Sequence, residues 1–169
     1  MIKQRILVAG IGNIFLGDDA FGCEVAQRLG KRDLPAEVRV VDFGIRGFDL
    51  VYALLDGYDV TIFVDATPRG GVPGTLYTIE PDLGEFDDLD AHAIDAHGMN
   101  PMKMLAMVKS MGGVFNRILL VGCEPTEVDA EEGQMGLSEP VEAAVDEAVC
   151  MVESLVTEIL RGERTATKA

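Results

Sequence analysis

The sequence predicts an α/β protein: a three-layer sandwich in which a five-stranded, mostly parallel twisted sheet carries one antiparallel strand and has helices on both faces. Three observations carry that expectation. Short apolar runs alternate along the chain with longer stretches of helical periodicity, the pattern of right-handed βαβ units. The first run shows no polar alternation, as expected of a strand covered on both faces. The fourth run follows the third after about eight residues, too few for a helical crossover, so the fourth strand should be antiparallel.

Each element follows from the residues in order. "RILVAGI" (5–11) is the first strand. In "DAFGCEVAQRLG", Phe21, Val25 and Leu29 recur on one helical face and Gly30 supplies a stop. "EVRVVDF" (37–43) is the second strand, and "FDLVYALLDG" sets Phe48, Val51, Tyr52 and Leu55 at helical spacing before Gly57. "DVTIFVDA" (59–66) and "TLYTIE" (75–80) are the third and fourth strands, separated by the turn "TPRGGVPG". In "NPMKMLAMVKSMGG", Asn100 is placed to cap a helix whose first residue is Pro101. "RILLVGC" (117–123) is the fifth strand. A last helix over about 139–161 presents Val141, Val145, Ala148, Val152, Leu155 and Ile159 as one stripe.

A chain of 169 residues suits one domain with a sizeable core. Residues 1–162 form that domain here, and 163–169 read as a frayed tail. Fourteen basic and twenty-nine acidic residues give a net charge of −15, a field that argues against nucleic acid or an anionic membrane surface and tolerates a basic peptide or a cation. No apolar run nears the roughly 18 residues of a membrane span, and the first residues lack a signal-peptide pattern. Three cysteines (Cys23, Cys123, Cys150) with no CxxC pair read as reduced thiols. The expected location is cytoplasmic.

Ligands in open α/β sheets sit beyond the carboxyl ends of the strands. There the chain places Asn13, Asp18 and Asp19 after strand one, Asp42 and "GIRG" after strand two, Asp65 at the end of strand three, and Cys123 and Glu124 at the end of strand five. His97 lies in the loop before the helix that precedes strand five. "GIGNIFLGDD" (10–19) opens like a dinucleotide loop, but Phe15 stands where a third glycine is needed, and two carboxylates would face the pyrophosphate. Asp19, Asp65 and His97 instead offer a mixed oxygen and nitrogen donor set for a divalent ion such as zinc or nickel. Asp18 reads as an ordinary helix N-cap, and His92, in "DLDAHAID", as a solvated surface group. None of the three serines lies in GxSxG. Cys123 paired with His97 is the thiol alternative, against which stands the common role of such a cysteine as a buried filler. The methionines of 99–111 read as core filling, and the acidic loops 82–95 and 124–139 as solvated.

Taken together, "GIGNIFLGDDAFG", "DFGIRG", "FVDAT", "DAHGMNP" and "VGCEP" resemble, in order and spacing, the hydrogenase maturation endopeptidases, over essentially residues 5 to 160. The resemblance implies the same five-stranded sandwich. It also implies that Asp19, Asp65 and His97 are the metal-binding and catalytic positions. Gly44, Ile45, Arg46 and Gly47 correspond to the family's substrate-recognition segment. The implied partner is the large-subunit precursor of a [NiFe] hydrogenase, and the implied metal is nickel, brought by that precursor, with another divalent ion possible in isolation. The implied reaction is removal of a short C-terminal extension, by a protein expected to act as a monomer. Two departures are visible: Asp19 is one methylene shorter than the Glu of some relatives, and Ala20 replaces a common Gly. A Cys123/His97 thiol hydrolase and a noncatalytic metal-sensing maturation chaperone are the competing readings.

Overall fold

The computed structural model describes residues 4–81, 101–114, 116–126 and 136–162. Along the chain run β1 (Ile6–Ile11), a 3-10 turn (Gly17–Ala20), α1 (Phe21–Leu29), β2 (Val38–Gly44), α2 (Gly47–Leu55), β3 (Val60–Ala66) and β4 (Leu76–Ile79). They are followed by α3 (Pro101–Ser110), β5 (Arg117–Cys123) and α4 (Glu139–Leu160). The strand order is β2-β1-β3-β5-β4. All neighbours are parallel except β4, which pairs antiparallel with β5. The expected sandwich is therefore the fold, including its one reversed strand.

Alternate residues of each strand divide the core into two layers, as a period of two requires. Ile6, Val8, Ile62, Val64, Leu119 and Val121 pack under α1 and α4. Leu7, Ala9, Ile11, Phe63 and Ile118 pack under α2 and α3. Phe21, Val25 and Leu29 are fully buried on α1, and the whole expected stripe of α4 is buried. Pro101 is the first residue of α3, and Met104 fills core while Met102 and Met111 face outward.

One helix is rotated from its expected pose. On α2 the buried residues are Leu50, Val51, Ala53 and Leu54, whereas Phe48 and Tyr52 are 73% and 63% exposed. The spacing of 48, 51, 52 and 55 and that of 50, 51 and 54 are both helical. Docking on the sheet selects the aliphatic set and leaves the aromatics outside.

This topology reverses direction at β1, with β2 on one side and β3 on the other. A crevice therefore opens beyond the carboxyl ends of β1 and β3.

Candidate active site

The loop after β1 is shaped by two glycines. Gly12 has φ +145°, and a Cβ there would collide with the Asp19 carbonyl. A Cβ on Gly22, in the first turn of α1, would strike the carbonyls of Ile11 and Val64. The glycines thus bring a strand end, a 3-10 turn and a helix into backbone contact, and no phosphate-binding role is needed to explain them.

That turn delivers Asp19. The Asn13 N–H donates to its Oδ2 at 2.8 Å, fixing one oxygen of a carboxylate that is half-buried. Asp65, at the end of β3, has the same strand parity as Phe63 and belongs to the α2/α3 face. It is 8% exposed, and its Oδ1 has no hydrogen-bond partner among the described residues. Burial pushes the Asp65 carboxyl well above the ordinary carboxylate range, and the nearby negative charge of Asp19 pushes it further, opposed by the Ala66 N–H. A buried carboxylate with an orphaned oxygen beside a second carboxylate is costly unless a proton or a cation arrives. Both line a pocket of about 420 Å³ whose walls include Phe63, Pro68, Met102, Leu105 and Leu120.

Asp19 and Asp65 are thus brought together as expected. His97, the third expected member, lies outside the described residues, as do His92 and Asn100. Among the described residues, no three potential ligands converge.

The β2 end builds a second wall. Gly44, with φ +58°, donates its N–H to Asp42 Oδ1 at 3.1 Å, and its carbonyl accepts from the Gly12 N–H at 3.1 Å. Arg46 folds back on its own loop: Nη2 donates to the Asp42 carbonyl at 2.6 Å, Nε to the Phe43 carbonyl at 3.2 Å, and Nη1 to Asp49 Oδ2 at 3.2 Å. The guanidinium stiffens the segment, while Ile45 is exposed. Between this loop and 12–15 lies a groove of about 300 Å³.

The reading of Asp18 as a helix N-cap is corrected here. Asp18 does not cap its own helix: the α1 cap position is Ala20, and the side chain of Asp18 is 1% exposed. Its carboxylate accepts from the Thr126 N–H (2.9 Å) and hydroxyl (2.5 Å) and from the Ser138 N–H (2.7 Å) and hydroxyl (2.8 Å). Partners more than a hundred residues away leave no local signal in sequence.

Cys123, the thiol candidate, is fully buried in the layer under α1 and α4, on the opposite face from Asp65. Burial pushes its pKa up to about 11, with Asp18 and Glu124 adding to the shift, so it is a packed filler and not a nucleophile. Cys23 is likewise buried, donating to the Gly12 carbonyl at 3.3 Å. Cys150 is exposed on α4.

Glu124 is 3% exposed and holds the β3–β4 turn. Its carboxylate accepts from the Arg69 N–H at 2.7 Å and from the Gly71 N–H. Backbone donors account for this acid, and the site does not need it.

The fold and these two carboxylates define a small α/β domain with an acidic crevice at the point where its strand order reverses. Comparison with known proteins makes the assignment specific: residues 23–155 match the HycI hydrogenase maturation protease family, and the chain belongs to it. It is 30% identical over 157 residues to the hydrogenase 2 maturation protease of Escherichia coli K12, covering 92% of each chain. Among solved structures, it resembles the hydrogenase maturating endopeptidase HybD from E. coli at 29% identity and a TM-score of 0.71, covering 92% of this chain and 94% of that one. The hydrogenase 2 maturation peptidase from the Thaumarchaeota archaeon SCGC_AB-539-E09 gives 33% identity and a TM-score of 0.69, over 91% and 99%.

Proposed function

We propose that this protein is the endopeptidase that removes the C-terminal extension from the nickel-loaded precursor of a [NiFe]-hydrogenase large subunit. The observation that carries this reading is the orphaned Asp65 Oδ1, buried beside Asp19 in the crevice. Such a pair fits a divalent cation, whose charge relieves both the desolvation and the mutual repulsion. The nickel belongs to the substrate, and His97 completes the donor set proposed to meet it.

A divalent cation in such a site supplies Lewis acidity toward a peptide carbonyl and acidifies water. The chain's own groups do the rest. Positive charge entering the crevice favours the ionised form of Asp65. Asp19, the more exposed carboxylate and fixed by the Asn13 N–H, accepts a proton. The groove between 12–15 and 42–46 guides the precursor's polypeptide, with Gly44 to Gly47 as its stiffened wall.

Intact mass spectrometry of a nickel-loaded precursor, before and after incubation, tests the reading. Loss of one C-terminal peptide, dependent on nickel and on Asp19, Asp65 and His97, is expected. An uncut precursor that nonetheless binds would mark a noncatalytic maturation chaperone.

A further inference from the structure

Asp18 stands next to Asp19 and takes no part in the chemistry proposed above, yet it is the more completely gripped of the two. Its Oδ2 accepts three hydrogen bonds, from the Thr126 N–H, the Thr126 hydroxyl and the Ser138 hydroxyl, and its Oδ1 accepts from the Ser138 N–H. Ser138 occupies the N-cap position of α4, but its hydroxyl does not cap that helix. The carboxylate of Asp18 sits there instead, where a negative charge is favoured. One side chain therefore ties the turn after β1 to the end of β5 and to the start of the longest helix.

Asp18 and Asp19 share the single turn Gly17–Ala20, so holding one holds the other. The Asp19 carbonyl rests against Gly12, where no Cβ would fit. Its carboxylate takes the Asn13 N–H, and its own N–H donates to the Leu16 carbonyl at 3.1 Å. With Asp18 anchored on the far side, the turn is constrained at both ends.

We propose that Asp18 is the positioning residue of the site: its anchorage to Thr126 and Ser138 sets where the Asp19 carboxylate stands relative to Asp65. This rests on the reading of Asp19 and Asp65 as the working carboxylates. Asn is a poor substitute despite its shape. An amide NH₂ in place of Oδ1 would face the Ser138 N–H, and in place of Oδ2 it would face the Thr126 N–H, neither of which can turn to accept.

The test compares Asp18→Asn, Thr126→Val, Ser138→Ala and Thr126→Ser with the parent protein. One arm measures kcat and KM on the nickel-loaded precursor. The other measures hydrogen exchange at the Asn13 amide, which reports where Asp19 stands and needs no activity. Asp18→Asn should lower kcat about tenfold or more with little change in KM, and speed exchange at Asn13 about tenfold while β1 and β3 amides keep their protection. Thr126→Val and Ser138→Ala should show smaller shifts of the same kind, and they carry the test if Asp18→Asn does not fold. Thr126→Ser, which keeps the hydroxyl, should resemble the parent. Unchanged kcat and unchanged Asn13 exchange in folded variants would overturn the proposal, as would exchange accelerated equally across the sheet. If the parent itself does not cleave, the peptidase reading falls, and the Asn13 arm still decides the positioning role.

Discussion

Asp18 and Asp19 are neighbours of one residue type, and tertiary structure separates their roles. Burial alone would raise the Asp18 pKa, but four hydrogen bonds from Thr126 and Ser138 outweigh it and hold the group below its usual value. Its contribution to stability is therefore present above the unfolded-state value near 3.8 and is lost as pH falls through the lower folded value. Asp65 has the opposite sign. Its folded pKa is raised above 3.8, so its contribution is complete below that pH and is lost as pH rises through the folded value. Asp65→Asn should consequently abolish processing, with a loss exceeding the roughly 10–100-fold typical of an outer-shell partner. The same change should stabilise the metal-free protein at pH 7, because it removes the cost of a buried carboxylate beside Asp19. Thermal melts from pH 7 to 4 should show that gain shrinking towards zero. A gain that persisted at pH 4 would remove the electrostatic explanation. Cys123→Ala should leave processing intact and cost about 1–2 kcal/mol through lost packing, measurable by urea unfolding.

At the scale of elements, α1 is secured to α4 by Arg28. Its guanidinium meets Glu24 at 3.1 Å, Glu142 at 2.7 Å and Asp146 at 2.8 Å. These pairs are partly solvated, so Arg28→Met should cost only about 1 kcal/mol, less at high salt, with no effect on kcat. A salt titration of the melting temperature checks this. The Gly12 turn is far less tolerant. Gly12→Ala would drive a methyl into the Asp19 carbonyl and should eliminate activity at a stability cost of several kcal/mol. The contrast follows from what each element touches: Arg28 meets flexible surface side chains, whereas Gly12 meets backbone.

For the whole molecule, two core layers on either side of a continuous sheet supply the stability, and this apolar packing, to which Phe63 and Leu105 in the crevice wall belong, uses no ion. Chelation should therefore leave the melting temperature of the isolated protein unchanged. Added nickel that binds the crevice should raise it according to ligand linkage, and should fail to do so in Asp65→Asn. No described helix is long and apolar enough to cross a membrane. The net charge of −15 leaves the molecule a strongly negative partner for whatever docks on its crevice.

The order of strands and helices was legible in the sequence because apolar periodicity is a local property, and the short β3–β4 connection could only reverse direction. Asp19 and Asp65 were legible as a candidate pair because both follow strands in a sheet whose carboxyl edge collects ligands. The pose of α2 was not, since two helical stripes overlapped and only docking on the sheet chose between them. Nor was the role of Asp18, or the inertness of Cys123. A carboxylate's worth depends on the donors that surround it and a thiol's on the face to which its strand turns it, and both are set by residues distant in the chain.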